Sequence, residues 1–205
     1  YIKIRYANND ILMATAQGSA VRFSENQVRC MGRGASGVIG MRLRSGDKVV
    51  GAVVVEDDKK LITVTENGYG KRTPFDDFRC MNRGCQGVIC QNCNGKTGAL
   101  AGILAVSEDD DLMMITDQGM FIRTPASDVS VISRSAAGVI VMRMDDGQKI
   151  ANFTKIARSD EESKSGGFDS GVASEVGSGT DTEAVEVTDE TSENDVEILD
   201  VTDEI

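Results

Sequence analysis

The stretch LITVTENGYGKRTPFDDFRCMNRGCQGVICQN, residues 61–92, recurs in altered form along the chain. ILMATAQGSAVRFSENQVRCMGRGASGVIGMRL (11–43) lies before it and LMMITDQGMFIRTPASDVSVISRSAAGVIVMRM (112–144) after it. Gly18, Gly68 and Gly119 are 50 and 51 residues apart. Arg22, Arg72 and Arg123 keep those offsets, as do Arg33, Arg83 and Arg134, and Gly37, Gly87 and Gly138. Four positions held in register over three copies define a tandem repeat, and a period near 50 fits propeller-like blades.

Each copy reads as short strands. VVGAVVV (49–55) is a β-branched run, and LITVT (61–65) alternates and leads into a turn at Asn67-Gly68. A returning strand runs from Tyr69 to Arg72, and Val88-Ile89-Cys90 forms another short run behind Gly87. Gly at each turn suits backbone with positive φ. No 3.6-residue periodicity is present. The expected class is all-β, with roughly three blades of about four strands each.

The net charge of −11 conceals two opposed parts. Residues 1–158 hold 21 Lys and Arg against 17 Asp and Glu, a net +4. Residues 159–205 hold Lys164 and 16 acidic side chains, a net −15. The body therefore does not exclude a polyanionic partner, although the whole-chain value suggests otherwise. After about Arg158 the repeat stops, and the Ser-, Gly- and Asp/Glu-rich remainder (158–205) is expected to be a disordered acidic tail. Tethered to a mildly basic body, that tail would compete with a polyanionic partner for it at low salt. The chain contains no His and no Trp, which removes the commonest general base and metal ligand. No apolar run of bilayer-spanning length and no secretory signal occurs, so a cytoplasmic setting is expected.

These residues resemble the C-terminal domain of the DNA gyrase A proteins. The resemblance rests on MATAQGSAVRFSENQVRCMGRGASGV, TVTENGYGKRTPFDDFRCMNRGCQGV and DLMMITDQGMFIRTPASDVSVISRSAAGV, and covers about residues 1–157. It implies a β-pinwheel, a propeller-like disc whose basic rim wraps DNA, with this chain holding about its last three blades. It also implies a bacterial type IIA topoisomerase in which gyrase B joins gyrase A in an A2B2 heterotetramer. ATP and Mg would act on other domains, and no cofactor is expected in this chain. The family's gyrase box has only weak echoes here, MGRGASG (31–37), MNRGCQG (81–87) and ISRSAAG (132–138). Neither the box nor a catalytic Tyr is identified, so the chain is expected to be a piece of the enzyme without catalytic residues. The C-terminal domain of the corresponding topoisomerase IV subunit is the alternative, and a protein-binding propeller a more distant one.

Two sets of basic residues are candidates for phosphate contact. Arg22, Arg72 and Arg123 each close a turn-strand unit. They read either as a row along the rim or as structural ties to loop carbonyls between blades. Lys71 neighbours Arg72, and strand alternation puts the two on opposite faces, so at least one is expected to be exposed. Arg33 and Arg83 precede Gly and Arg134 precedes Ser, where turn N–H groups beside a guanidinium suit a phosphate. Arg29 and Arg79 are repeat equivalents to which the same argument extends.

Four cysteines, Cys80, Cys85, Cys90 and Cys93, fall close together, but only Cys90 and Cys93 have zinc-couple spacing. Cys80 matches Cys30 in the neighbouring repeat, so the repeat accounts for it without a metal. The expectation is small free thiols in a reducing compartment and no metal. Glu108, Asp109, Asp110 and Asp111 are expected to form a solvated inter-strand loop.

Overall fold

A computed structural model describes residues 9–145 and 147–157. The acidic segment 158–205 lies outside them, and with it the expectations of disorder and of competition with a polyanionic partner. The described chain is all-β. In order, the strands are β1 (Asp10–Thr15), β2 (Ser19–Ser24), β3 (Val49–Val54), β4 (Lys60–Thr65), β5 (Tyr69–Pro74), β6 (Val88–Ile89), β7 (Leu100–Val106), β8 (Asp110–Thr116), β9 (Phe121–Pro125), β10 (Val139–Ile140) and β11 (Ile150–Ala157).

Each repeat opens with a hairpin whose turn needs a left-handed residue. Gly18, Gly68 and Gly119 supply it at φ 78°, 77° and 83°. Each hairpin ends in a single 3-10 turn: Glu25–Gln27, Phe75–Asp77 and Ala126–Asp128. Ser24 caps the first, its hydroxyl accepting from the Asn26 N–H at 3.3 Å. Pro74 and Pro125 precede the other two, with φ fixed at −57° and −58°.

The strands assemble into sheets ordered β3-β1-β2-β6, β10-β5-β4-β7 and β11-β8-β9. In the two four-stranded sheets the outer strand comes from the following repeat. Val88 and Ile89 of repeat 2 pair with Ala20 and Ser19 of repeat 1, and Val139 and Ile140 of repeat 3 pair with Gly70 and Tyr69 of repeat 2. The run at 88–90 is thus a strand as expected, but it completes the preceding blade rather than its own. Gly87 shows why glycine is required just before it: at φ 83°, a Cβ there would strike the Ala20 carbonyl.

The apolar cores lie between consecutive sheets. Leu12, Ala14 and Ala20 of the first blade meet Leu61, Phe75, Phe78 and Leu100 of the second. Ile62, Val64 and Val106 of the second meet Leu112, Met114, Ala126 and Val129 of the third. Leu61 and Ile62 point to opposite faces yet both have no exposed surface, because the second sheet is covered on both sides. This is why Leu61–Thr65 is buried at every position instead of on one face only. Full burial of a Leu or Ile is worth roughly 1.5–3 kcal/mol.

Candidate nucleic-acid interface

Strand exchange decides which basic side chains reach solvent. Arg22 shares a sheet face with Leu12, its partner in β1, and that face packs on the second blade. Its Nε donates to Asp10 Oδ2 at 2.7 Å, and its Nη1 to the Phe75 and Phe78 carbonyls at 2.7 and 3.3 Å. Arg72 repeats the arrangement one blade later. Its Nε and Nη2 donate to the Val129 and Ser127 carbonyls at 2.7 and 3.0 Å. Where Asp10 stands in repeat 1, repeat 2 has Lys60, and Glu108 lies beside both cations, 2.8 Å from Lys60 and 3.6 Å from Arg72. Arg123 pairs with Asp111 at 2.8 Å and is exposed. The tie between blades is therefore the geometry that Arg22 and Arg72 adopt.

The expectation that Lys71 or Arg72 would be exposed is overturned: both are buried, Lys71 completely. Alternation does place them on opposite faces, Lys71 opposite Thr63 and Arg72 opposite Ile62. The neighbouring blades cover both faces, and the Lys71 ammonium donates to the Ser133, Arg134 and Ala136 carbonyls.

The turn arginines are placed differently. Arg29, Arg33 and Arg79 are exposed. Arg83 is half-buried, its Nε donating to the Gln27 carbonyl at 3.0 Å and its Nη1 to the Ile39 carbonyl at 3.1 Å. Arg134 is also half-buried, and its Nη1 donates to the Ile89 carbonyl at 3.0 Å, one repeat on from the Arg83–Ile39 contact. Each of these arginines thus grips the strand-donor segment of the repeat before it. Arg79 and Arg134 are brought together 55 residues apart in sequence, lining a cleft of about 370 Å³ with Asp77 and Val88.

Arg42, Arg44 and Arg143 were not singled out from the sequence, and all three are exposed. Arg42 lies beside the second repeat's turn, its backbone N–H donating to the Cys85 carbonyl at 2.8 Å. The signal was available: Met41-Arg42 and Met142-Arg143 are repeat equivalents.

The remaining candidates sort themselves by burial and pairing. All five cysteines are free, with Cys90 buried in the first core, Cys93 half-buried and Cys80 exposed. Burial pushes the Cys90 thiol up to about 12. Among the described residues no group of three or more His, Cys, Asp or Glu gathers where it could hold a metal ion. In the acidic run, Glu108 and Asp109 are exposed, whereas Asp110 and Asp111 are buried at the start of β8. The expected solvated loop holds for the first two only. Asp110 accepts from the Ser107 N–H at 2.8 Å and lies 3.5 Å from the Lys155 ammonium.

Three β-blades linked by strand exchange, with arginines recurring at their turns, define a propeller-like repeat protein. A family model described as DNA gyrase C-terminal domain, beta-propeller matches residues 9–56, 59–107 and 110–157. The chain belongs to that family. The DNA gyrase A protein of Aminobacterium colombiense is 40% identical over 161 residues, covering 78% of this chain and 20% of that protein. Its Salmonella typhimurium counterpart is 34% identical over 172 residues, covering 84% and 20% respectively. The chain thus spans about a fifth of the length of these relatives. A solved structure of the DNA gyrase A C-terminal domain is similar with TM-score 0.68 and 31% identity, over 74% of this chain and 52% of that one. The C-terminal domain of DNA topoisomerase IV shares the fold with TM-score 0.69 at 22% identity, over 73% of this chain and 47% of that one.

Proposed function

We propose that this chain binds and wraps duplex DNA without reading base sequence, as part of a bacterial type IIA topoisomerase of the gyrase kind. The supporting observation is the recurrence of exposed arginines at equivalent turn positions, Arg29 with Arg79, together with the Arg79–Arg134 cleft. Cations repeated at the blade period suit a curved polyanion, and phosphate contacts carry no sequence information. The contact set is Arg29, Arg33, Arg79, Arg83 and Arg134, joined by Arg42, Arg44 and Arg143. Bending the duplex costs elastic energy that depends on its deformability, so selection among sequences is indirect.

Residues 1–157 act as the wrapping body and 158–205 as an acidic appendage. Cleavage, ATP hydrolysis with Mg and the contact with gyrase B belong to other parts of an A2B2 enzyme, and this chain supplies the wrap. Gyrase is favoured over topoisomerase IV because the Aminobacterium colombiense and Salmonella typhimurium relatives, at 40% and 34% identity, are DNA gyrase A proteins, whereas the topoisomerase IV domain shares the fold at 22%. The test is titration with a duplex of mixed sequence at several salt concentrations. Affinity should fall steeply with salt. Salt-independent binding, or no binding, would leave a protein-binding propeller as the better reading.

A further inference from the structure

Lys71 stands where repeats 1 and 3 carry Val21 and Ile122. Nothing in the repeat pattern calls for a cation there. The side chain is fully buried, and its three donors meet three acceptors: the carbonyls of Ser133 at 2.9 Å, Arg134 at 2.6 Å and Ala136 at 2.7 Å. Gln91 continues the row. Its Nε2 donates to the Ala137 carbonyl at 2.6 Å, while its Oε1 accepts from Thr63 Oγ1 at 2.9 Å. Two side chains of repeat 2 thus bind four carbonyls of the 133–137 turn.

The equivalent turn one junction earlier is held by other means. There Gln27 Oε1 accepts from the Arg83 N–H at 2.9 Å, Gln27 Nε2 donates to the Met81 carbonyl at 3.2 Å, and Gly84, at φ 76°, donates to the Gly40 carbonyl. At the second junction Asp77 replaces Gln27 and has no N–H to offer, and Ser135 replaces Gly84. Lys71 takes over the anchoring that these two changes remove.

We infer that Lys71 is a positioning residue for DNA binding: by holding the 133–137 turn through its carbonyls, it sets the Arg134 guanidinium in the cleft shared with Arg79. This rests on the DNA-binding reading above. Without the ammonium the Arg134 carbonyl loses its donor, while the Ser133 and Ala136 carbonyls each keep one backbone donor, the Ala136 and Asn92 N–H groups at 3.2 Å, so the turn is released at Arg134 itself. The groups around Lys71 are Cys90 and Cys93 behind β6, Arg134 in the turn and Asp77 in the 3-10 turn, and burial lowers Lys71 from 10.5 to about 8. A phosphate beside Arg134 favours the protonated amine, so affinity should fall as pH rises through about 8.

The experiment is duplex titration by fluorescence anisotropy on the full chain at pH 7 and pH 9, at fixed low salt. The forms compared are wild type, Lys71→Met, Arg134→Ala and the double variant. Expected is a loss of about threefold or more in Lys71→Met that is largely absent in the Arg134→Ala background, since coupled residues are non-additive. Expected also is a weakening between pH 7 and pH 9 that is larger in wild type than in Lys71→Met. Both forms carry the same five thiols, so the difference isolates Lys71. If Lys71→Met does not fold, the same pH comparison between wild type and Arg134→Ala answers the question, the variant being expected to respond less. A folded Lys71→Met that binds as wild type does, losses that simply add, or equal pH responses would overturn the inference. If instead Arg134→Ala and Arg79→Ala both bind as wild type does, the DNA reading of the cleft fails, and the inference with it.

Discussion

The Arg22 guanidinium reaches across 53 residues of sequence to donate to the Phe75 carbonyl at 2.7 Å. The Phe75 carbonyl already accepts the Phe78 N–H at 3.0 Å, and Arg22 also donates to the Phe78 carbonyl at 3.3 Å, so both ends of the second blade's 3-10 turn are tied to the hairpin of the first blade. Arg72 does the same for the Val129 and Ser127 carbonyls. A residue type that reads as a phosphate contact in sequence is, at these two positions, a part of the blade-to-blade joint.

Arg22→Ala and Arg72→Ala should therefore act on stability. Each leaves one buried carbonyl unpaired, Phe78 without Arg22 and Val129 without Arg72, at about 1–3 kcal/mol for a lost charged hydrogen bond. The thermal midpoint should drop by roughly 4–8 °C, taking about 2 kcal/mol in a body of this size. Scanning calorimetry checks it, with DNA affinity per folded molecule expected to hold. An unchanged midpoint with weakened binding would restore these arginines to the interface.

Arg29→Ala and Arg79→Ala should do the opposite. Both side chains are exposed, so stability should stay within about 0.5 kcal/mol. Each lost phosphate contact should reduce the slope of log affinity against log salt by about 1. Filter binding over a salt series reads this directly, and slopes equal to wild type would remove the residue from the contact set.

Gly138 and Gly147 offer a matched pair. Their φ values are 85° and 84°, so alanine is strained at both. A Cβ on Gly138 would also press on the Gly70 backbone at 2.5 Å, whereas at Gly147 it meets nothing within 4 Å. Gly147→Ala should cost about 1 kcal/mol and Gly138→Ala clearly more, because β10 must lift from β5. Equal costs in urea unfolding would show that strand exchange at Gly138 tolerates a side chain.

Stability against pH should carry two opposed contributions. Burial lowers Lys71 from 10.5 to about 8, so above pH 8 the folded chain has released a proton that the unfolded chain keeps. The unfolded state then binds more protons, and stability rises with pH up to about 10.5. Burial raises Cys90 from 9.0 to about 12, so above pH 9 the unfolded thiol ionises while the folded one does not, and stability falls. Lys71→Met should abolish the rise above pH 8, and Cys90→Ala the fall above pH 9. Chemical unfolding at half-unit steps from pH 7 to 10 tests both signs.

The linear chain settled a good deal by itself. Gly18, Gly68 and Gly119, with the strand runs around them, fixed three β-hairpin repeats, because turn chemistry and strand patterning are local. The family was legible for the same reason, as was the division of charge between body and acidic remainder. Sequence could not assign β6 and β10 to the preceding blades, since two-residue strands carry no partner information. Nor could it separate Arg22 and Arg72 from Arg29 and Arg79, or keep Lys71 out of the exposed set. Alternation predicted the face of each side chain correctly, but whether a face meets water depends on where the next repeat runs, 50 residues away. In a stack of strand-exchanged sheets both faces of the second sheet are covered. Tertiary structure alone therefore decided which cations became joints and which remained exposed.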